Sequence, residues 1–165
     1  MKNKVRQMPL ILLVVIFVFI SGIKVHGQEK VILSAGIGYP ELLNVGLKYQ
    51  LNQSQLGLSI GGFPSSAYTG TMVSFSGDYF YHFAGISKFS DLRLWYGRIG
   101  VNYSRESLDE IIVSWNSNFR IGRYFYFAEN FGISIDAGLN YHFNTDITGN
   151  PKLAAALGLC CFYRF

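Results

Sequence analysis

After residue 30 the chain alternates apolar with small or polar side chains at a period of two. In the longest run, residues 131–143, the odd positions are apolar and the even positions small or polar. Because successive side chains of a β-strand point to opposite faces, each such run predicts a strand with one apolar face. The runs cover residues 31–39, 43–51, 55–61, 73–83, 98–103, 111–122, 131–143 and 157–165. The fifth is less regular, since the apolar residues among 92–96 fall on both faces.

Turn-forming residues separate these runs, and no stretch beyond the N-terminal 27 residues has a helical period or the length of a spanning helix. The turn signals fall at residues 40–41, 52–53, 64–66, 85–90, 104–110, 128–130 and 144–151. An antiparallel barrel closes at about eight strands with an interior just filled by side chains, and a tilted spanning strand needs about 9–11 residues. The sequence therefore predicts an all-β fold, an eight-stranded antiparallel up-and-down transmembrane β-barrel.

The first 27 residues have the composition of a secretory signal peptide. Lys2, Lys4 and Arg6 precede an apolar run at residues 10–20, and small residues follow at the expected cleavage region. The apolar segment, residues 8–23, is shorter than a spanning helix of about 20 residues. We expect cleavage after Gly27, which leaves residues 28–165 as one barrel domain.

Removal of this leader changes the charge balance. The formal net charge of +4 equals the four basic residues of the leader, and ten Lys and Arg then face ten Asp and Glu. A balanced chain gives no electrostatic argument for binding nucleic acid. We therefore expect no nucleic-acid partner.

Aromatic side chains cluster at the predicted strand ends, which distinguishes a membrane barrel from a soluble barrel of the lipocalin kind. A lipocalin would place its aromatic residues in the cavity, and the Gly-x-Trp of that family is missing from the first strand. Two aromatic girdles, one at each membrane interface, are expected of transmembrane barrels. The predicted girdle residues are Tyr39, Tyr49, Phe63, Tyr81, Phe83, Tyr103, Tyr124, Tyr141 and Phe143.

Over residues 28–165 the chain resembles the small OmpA/OmpX-type bacterial outer-membrane barrels. The resemblance rests on the number of strands, the aromatic girdles and the terminal Tyr163-x-Phe165. The resemblance implies an integral outer-membrane position with both termini in the periplasm, and contact with membrane lipid and lipopolysaccharide. In that family the barrel-assembly machinery recognises the last strand. The resemblance assigns that role to Leu159, Cys161, Tyr163 and Phe165. No periplasmic module follows, so cell-wall anchoring is not expected.

Charged residues on the polar faces predict a filled interior. They are Lys48, Asp78, Arg98, Arg120, Asp136, Lys152 and Arg164. Because unpaired charges in a narrow lumen are costly, we expect Asp78 to pair with Arg98 and Asp136 with Arg120, each within about 6 Å. Two acids against five bases leave an excess of positive charge, which water or an acidic loop residue would relieve. A side-chain plug is favoured over a small anion-selective conductance.

Enzymatic barrels of this size form the alternative class of function. Lipid A deacylases use His-x-Ser, but here His142 is followed two positions later by Asn144, whose amide cannot act as a nucleophile. Palmitoyltransferase barrels use His, Asp and Ser near the outer rim, where Ser104, Asp109 and Asp146 lack a nearby His. We therefore expect no catalysis, and a structural or interaction role at the cell surface; a lipid A-modifying enzyme and a lipocalin-like carrier are the alternatives.

The remaining features predict little specific chemistry. Cys160 and Cys161 are adjacent, so they should point to opposite faces as two free thiols. Since ligand clusters are missing from the sequence, neither a metal nor a cofactor is expected. The charged segment 104–110 is the best candidate for contact with an extracellular partner.

Overall fold

A computed structural model of the chain describes residues 31–63, 71–107, 111–144 and 152–165. The predicted signal peptide lies outside these residues, as do Asp109, Asp146 and the side chain of Asn144. The described residues form strands of 9–16 residues. These are β1 (Val31–Tyr39), β2 (Leu42–Leu51), β3 (Ser54–Phe63), β4 (Thr71–Ala84), β5 (Trp95–Ser107), β6 (Ile111–Tyr126), β7 (Phe131–Asn144) and β8 (Leu153–Arg164).

The eight strands form a closed barrel in which each strand pairs antiparallel with its sequence neighbours and β8 pairs with β1. The predicted all-β, eight-stranded up-and-down barrel is confirmed. Closure leaves no unpaired sheet edge. In the part of the chain that the structure describes, no helix has the length and apolar character to cross a membrane.

The sequence alternation sorts side chains between the two faces of the wall. Apolar side chains point outward, where Leu58 is 73% exposed and Phe119 58% exposed, while serine, asparagine and charged side chains point into the lumen. The outer wall of the barrel is thus apolar, and most of the lumen residues are polar or charged.

The two ends of the barrel are built differently. We call the end where β1 begins and β8 ends the terminal end, and the opposite one the loop end. At the terminal end, residues 85–94 fold over the barrel mouth instead of projecting from it. His82 Nδ1 lies 2.6 Å from the Arg93 carbonyl oxygen, the Tyr124 amide donates to the Leu94 carbonyl at 2.9 Å, and Leu92 is buried. Leu92 and Leu94 thus pack inward, while Arg93 between them is exposed.

The candidate partner segment 104–110 is shorter as a loop than predicted. Ser104 is buried on the lumen face of β5, and the strand continues to Ser107. Residues 108–110 lie outside the described residues. Ser104 is therefore part of the barrel wall, which also removes it from the rim site considered for an acyltransferase.

Candidate functional site

Five charged side chains meet in the middle of the lumen, and we call them the lumen ion cluster: Glu41, Asp78, Arg98, Arg120 and Asp136. Four of them come from inward positions of β4, β5, β6 and β7. Each is at most 7% exposed. Buried charges of this kind require partners, and the strand register places these residues at neighbouring levels of the wall.

The two predicted ion pairs are both present. Arg98 binds Asp78 through two hydrogen bonds, Nε to Oδ1 at 2.9 Å and Nη2 to Oδ2 at 2.8 Å. Arg120 Nη1 donates to Asp136 Oδ1 at 3.0 Å. Tyr96 adds a third link, because its hydroxyl donates to Asp136 Oδ2 at 2.9 Å. The distances within both ion pairs lie well inside about 6 Å, the range over which opposite charges interact strongly.

Glu41 joins the two pairs and was placed in a turn by sequence reasoning. Its Oε1 accepts hydrogen bonds from Arg98 Nη2 and Arg120 Nη2, both at 2.6 Å. The carboxylate is the acidic loop residue that relieves the excess positive charge. Three carboxylates thus face two guanidinium groups within the cluster, with the Lys48 ammonium nearby in the lumen.

The turn that carries Glu41 bends into the barrel. Its carbonyl oxygen accepts a hydrogen bond from the Ser74 hydroxyl at 3.1 Å. The next residue, Leu42, has a φ of 64°, in the left-handed region that a branched residue rarely adopts. The ion pairs of Glu41 with the opposite wall supply the contacts that hold this conformation. Sequence signals for a turn gave no indication that the side chain would point inward.

Glycines on the neighbouring strands make room for the buried acids. Asp78 is paired in register with Gly57 and Gly100, and Asp136 with Gly122 and Gly158. A Cβ added at Gly158 would lie 2.5 Å from Asp136 Oδ1. The absence of a side chain at these positions is therefore what admits the carboxylates into a narrow lumen.

Gly122→Val should lower the free energy of unfolding by about 1–3 kcal/mol, the usual cost of overpacking. A Cβ at Gly122 would meet the Tyr96 ring at 2.5 Å and Asp136 Cβ at 2.7 Å. Gly97, on the adjacent strand, has nothing within 4 Å of its added Cβ, so Gly97→Val is the matched control and should be neutral or slightly stabilising. Urea unfolding in detergent micelles, followed by gel mobility of unboiled samples, measures both. Equal stabilities of the two variants would contradict the packing argument.

An aromatic layer fills the lumen between the ion cluster and the terminal end. Ile32 completes this buried layer, whose rings contact each other edge to face or stacked: Phe80, Tyr96, Tyr124 and Phe162. Lys48 reaches this layer, since its Nζ donates to the Tyr124 hydroxyl at 3.0 Å and lies 4.5 Å from the Phe80 ring centroid. Lys48 is therefore a lumen residue as predicted, with a phenol and an aromatic face as its contacts.

Tyr124 was wrongly assigned to the outer girdle. It is fully buried in the lumen because outward residues of β6 carry odd numbers and Tyr124 is even. The other assigned girdle residues lie outward, seven of them 40–60% exposed, and Tyr103 half-buried against Trp115. Those seven are Tyr39, Tyr49, Phe63, Tyr81, Phe83, Tyr141 and Phe143. Phe125 takes the outward position next to Tyr124.

Two further predicted lumen charges lie away from the ion cluster. Lys152 is exposed one residue before β8 begins, so it lies at the loop-end rim and not among the buried lumen charges. Arg164 is buried at the terminal end, where its guanidinium lies 5.9 Å from the Tyr126 ring centroid and its Nη1 is 3.5 Å from the Phe89 carbonyl oxygen. It therefore belongs to the packing of residues 85–94 over the mouth.

A small lumen cavity of about 20 Å³ lies between Lys48, Asp78, Arg98, Asp136 and Cys160. This is room for about one water molecule. The ion cluster, the aromatic layer and residues 85–94 thus occlude the part of the lumen that the structure describes.

Outward-facing arginines were not found by sequence reasoning. Only two outward positions of the described strands carry a charge, Arg105 near the loop end of β5 and Arg123 near the terminal end of β6. The Arg123 guanidinium lies 5.4 Å from the Trp95 ring centroid and 5.0 Å from that of Phe125. The signal was available, because Arg123 occupies an odd position in a strand whose odd positions are otherwise mostly apolar.

Candidate catalytic residues do not assemble into a constellation among the described residues. His142 Nε2 lies 3.1 Å from the Tyr39 hydroxyl and 3.3 Å from Asn140 Nδ2, and no serine or carboxylate of the described ranges contacts the ring. Within the described ranges, no three His, Cys, Asp or Glu side chains are placed to hold a metal ion. Both cysteines are free, Cys160 half-buried and Cys161 exposed on the outer face.

The last strand carries the four residues assigned to assembly by resemblance. Leu159, Cys161 and Tyr163 are exposed on the outer wall, and the Phe165 ring packs 5.1 Å from that of Tyr163. The Phe165 amide donates to the Val31 carbonyl oxygen at 3.1 Å, at the seam where the barrel closes. Their role in recognition by an assembly machinery stays a prediction.

Comparison with known proteins identifies similar barrels among solved structures. The chain is similar to the N-terminal β-barrel domain of Pseudomonas aeruginosa OprF, with 20% identity, a TM-score of 0.57, and coverage of 85% of this chain and 100% of that domain. Neisserial surface protein A also matches, with 13% identity, a TM-score of 0.45, and coverage of 82% and 95%. No family model and no curated protein sequence matches the chain. The comparison with the OprF domain shows the same fold.

Proposed function

We propose that the chain is an integral outer-membrane barrel with an occluded interior and a structural or interaction role, without catalysis. The observation that carries this proposal is the apolar outer wall. Exposed leucine, isoleucine, valine and aromatic side chains surround the barrel on all eight strands, while the ionised side chains of the lumen are buried. A soluble monomer rarely exposes a contiguous apolar surface above a few hundred Å². Lipid is the solvent that such a wall requires.

The height of the apolar band supports a bilayer position. Arg105 is paired in register with Val113, so residues 113–123 of β6 separate the levels of the two outward arginines. Roughly ten steps of about 3.3 Å, inclined by about 40° to the barrel axis, correspond to about 25 Å of height. This equals the apolar band of transmembrane barrels, about 25 Å tall. Tyr103 and Trp115 lie near the level of Arg105, and Trp95 and Phe125 lie near the level of Arg123. Aromatic residues at both levels are expected at the two membrane interfaces.

The occluded lumen supports a role other than conduction. A permeating ion would have to separate Arg98 and Arg120 from three carboxylates and then pass Tyr96 and Tyr124 in the aromatic layer. Each broken pair leaves an uncompensated buried charge. The loop end and the outer surface therefore remain for contact with lipopolysaccharide and other partners.

A heat-modifiability gel tests the membrane position. The protein should fractionate with the outer membrane, and unboiled samples in mild detergent should migrate differently from boiled ones, because the closed hydrogen-bonded barrel resists unfolding. In planar lipid bilayers the folded protein should give no steady conductance. Recovery in the soluble periplasmic fraction without a gel shift would contradict the proposal and favour a soluble carrier. A steady anion current would contradict the occluded lumen alone.

A further inference from the structure

We propose that Arg123, together with Trp95 and Phe125, forms a binding site for the phosphate group of a phospholipid at the terminal end of the barrel. The site lies on the outer wall and is separate from the lumen ion cluster. The inference rests on the membrane position proposed above.

The first argument is the contrast between Arg123 and the arginines of the lumen. Arg98 and Arg120 each bind at least two carboxylates. Arg123 forms no ion pair or hydrogen bond with the described residues, and its buried Nε has no hydrogen-bond partner. A guanidinium at the edge of an apolar wall is unfavourable unless it reaches water or an anion.

The second argument is the fixed orientation of the guanidinium. Its central carbon lies within 5.4 Å of the Trp95 centroid and 5.0 Å of the Phe125 centroid, inside the range of a cation–π contact. The two rings restrict the rotamers of the flat group, and its Nη1 and Nη2 groups form no hydrogen bond with the described residues. A guanidinium presents paired donors that match the oxygens of a phosphate.

The third argument is the level of the site. Arg123 lies about 25 Å below the level of Arg105, the height of an apolar band, and beside an interfacial tryptophan. Phospholipid phosphates lie at that level of a bilayer, with acyl chains extending along the wall. Ile121 and Ile135, both exposed next to Arg123 in the wall, supply an apolar surface for those chains.

Lipid binding can be measured by native mass spectrometry of the purified barrel in non-ionic detergent. The probe is dioleoyl phosphatidylglycerol, and the comparison lipid is a galactosyl diacylglycerol, which has no phosphate. We expect Arg123→Gln to weaken phosphatidylglycerol binding about tenfold, the effect of losing charge-assisted hydrogen bonds, and to leave the galactolipid unchanged. Arg105→Gln is the matched control, because it removes an outward charge of the same sign. It should bind phosphatidylglycerol as the unsubstituted protein does.

A second measurement keeps Arg123 intact, in case its substitution impairs folding. The chain has two tryptophans, so Trp115→Phe leaves Trp95 as the only one. Phosphatidylglycerol brominated near its headgroup should quench Trp95 more strongly than the brominated galactolipid does. Equal quenching, or equal binding by Arg123→Gln, would overturn the inference. So would displacement of the lipid by equimolar inorganic phosphate, which would indicate a free-anion site.

The two proposals fail separately. If the unsubstituted protein shows no heat-dependent gel shift, the membrane barrel itself is wrong. If the protein shows the shift but does not distinguish the two lipids, only the phosphate site is wrong.

Discussion

Arg120→Met should lower the free energy of unfolding by about 3 kcal/mol, at the lower end of the 3–5 kcal/mol typical of a broken buried ion pair. Arg120 is fully buried and binds both Glu41 and Asp136. Its removal leaves the carboxylates of Glu41 and Asp136 in a narrow lumen with one positive charge fewer to compensate them. The cost stays near the lower limit because Arg98 still contacts both acids. Urea titration in detergent micelles, with the folded fraction read from unboiled gel mobility, measures the change.

Arg105→Met is the control for this experiment. Arg105 lies exposed on the outer wall, so its replacement should change the free energy of unfolding by about 0.5 kcal/mol or less. The double variant Arg120→Met with Glu41→Gln should recover part of the loss, since it removes one of the two uncompensated charges. A single Arg120 variant as stable as the control would show that the cluster contributes nothing to stability.

Tyr124→Ala should cost about 3–5 kcal/mol, the range for deleting a large buried ring. The ring stacks on Phe162 at 4.6 Å and contacts Tyr96 at 5.1 Å. Its hydroxyl also accepts from Lys48 at 3.0 Å and donates to Gln55 at 2.9 Å. The alanine variant therefore opens a cavity in the aromatic layer and removes both hydrogen bonds, which the same urea titration should detect.

Tyr124→Phe separates the ring from the hydroxyl. This variant keeps the packing and leaves Lys48 and Gln55 without their shared partner, so the expected cost is about 1–3 kcal/mol. Tyr49→Phe is the matched control, because Tyr49 is 46% exposed on the outer wall, and it should be close to neutral. If Tyr124→Ala costs no more than Tyr49→Phe, the aromatic layer does not stabilise the barrel.

The sequence was sufficient to predict the strands of the barrel wall and their outward faces, because a period of two is a local property of each strand. It also placed Asp78 and Arg98 together, since both lie on inward positions of adjacent strands. The alternation of β6, continued to the last residues of the strand, would have placed Tyr124 in the lumen. Neither Glu41 nor Leu92 could be placed this way. Both lie in connecting segments, where alternation stops and the direction of a side chain depends on how the segment folds back.

The inward turn at Glu41 favours one alignment of the strands over others. A slip of one residue between strands would turn the apolar face inward, but a slip of two residues preserves the pattern of apolar and polar faces. Alternation alone therefore permits a series of even-numbered misalignments. Glu41 contacts Arg98 and Arg120, which lie 57 and 79 residues away in the sequence and across the ring from the first hairpin. The observed alignment brings these three side chains together, so their ion pairs favour it over the shifted alignments that the hydrophobic pattern leaves open.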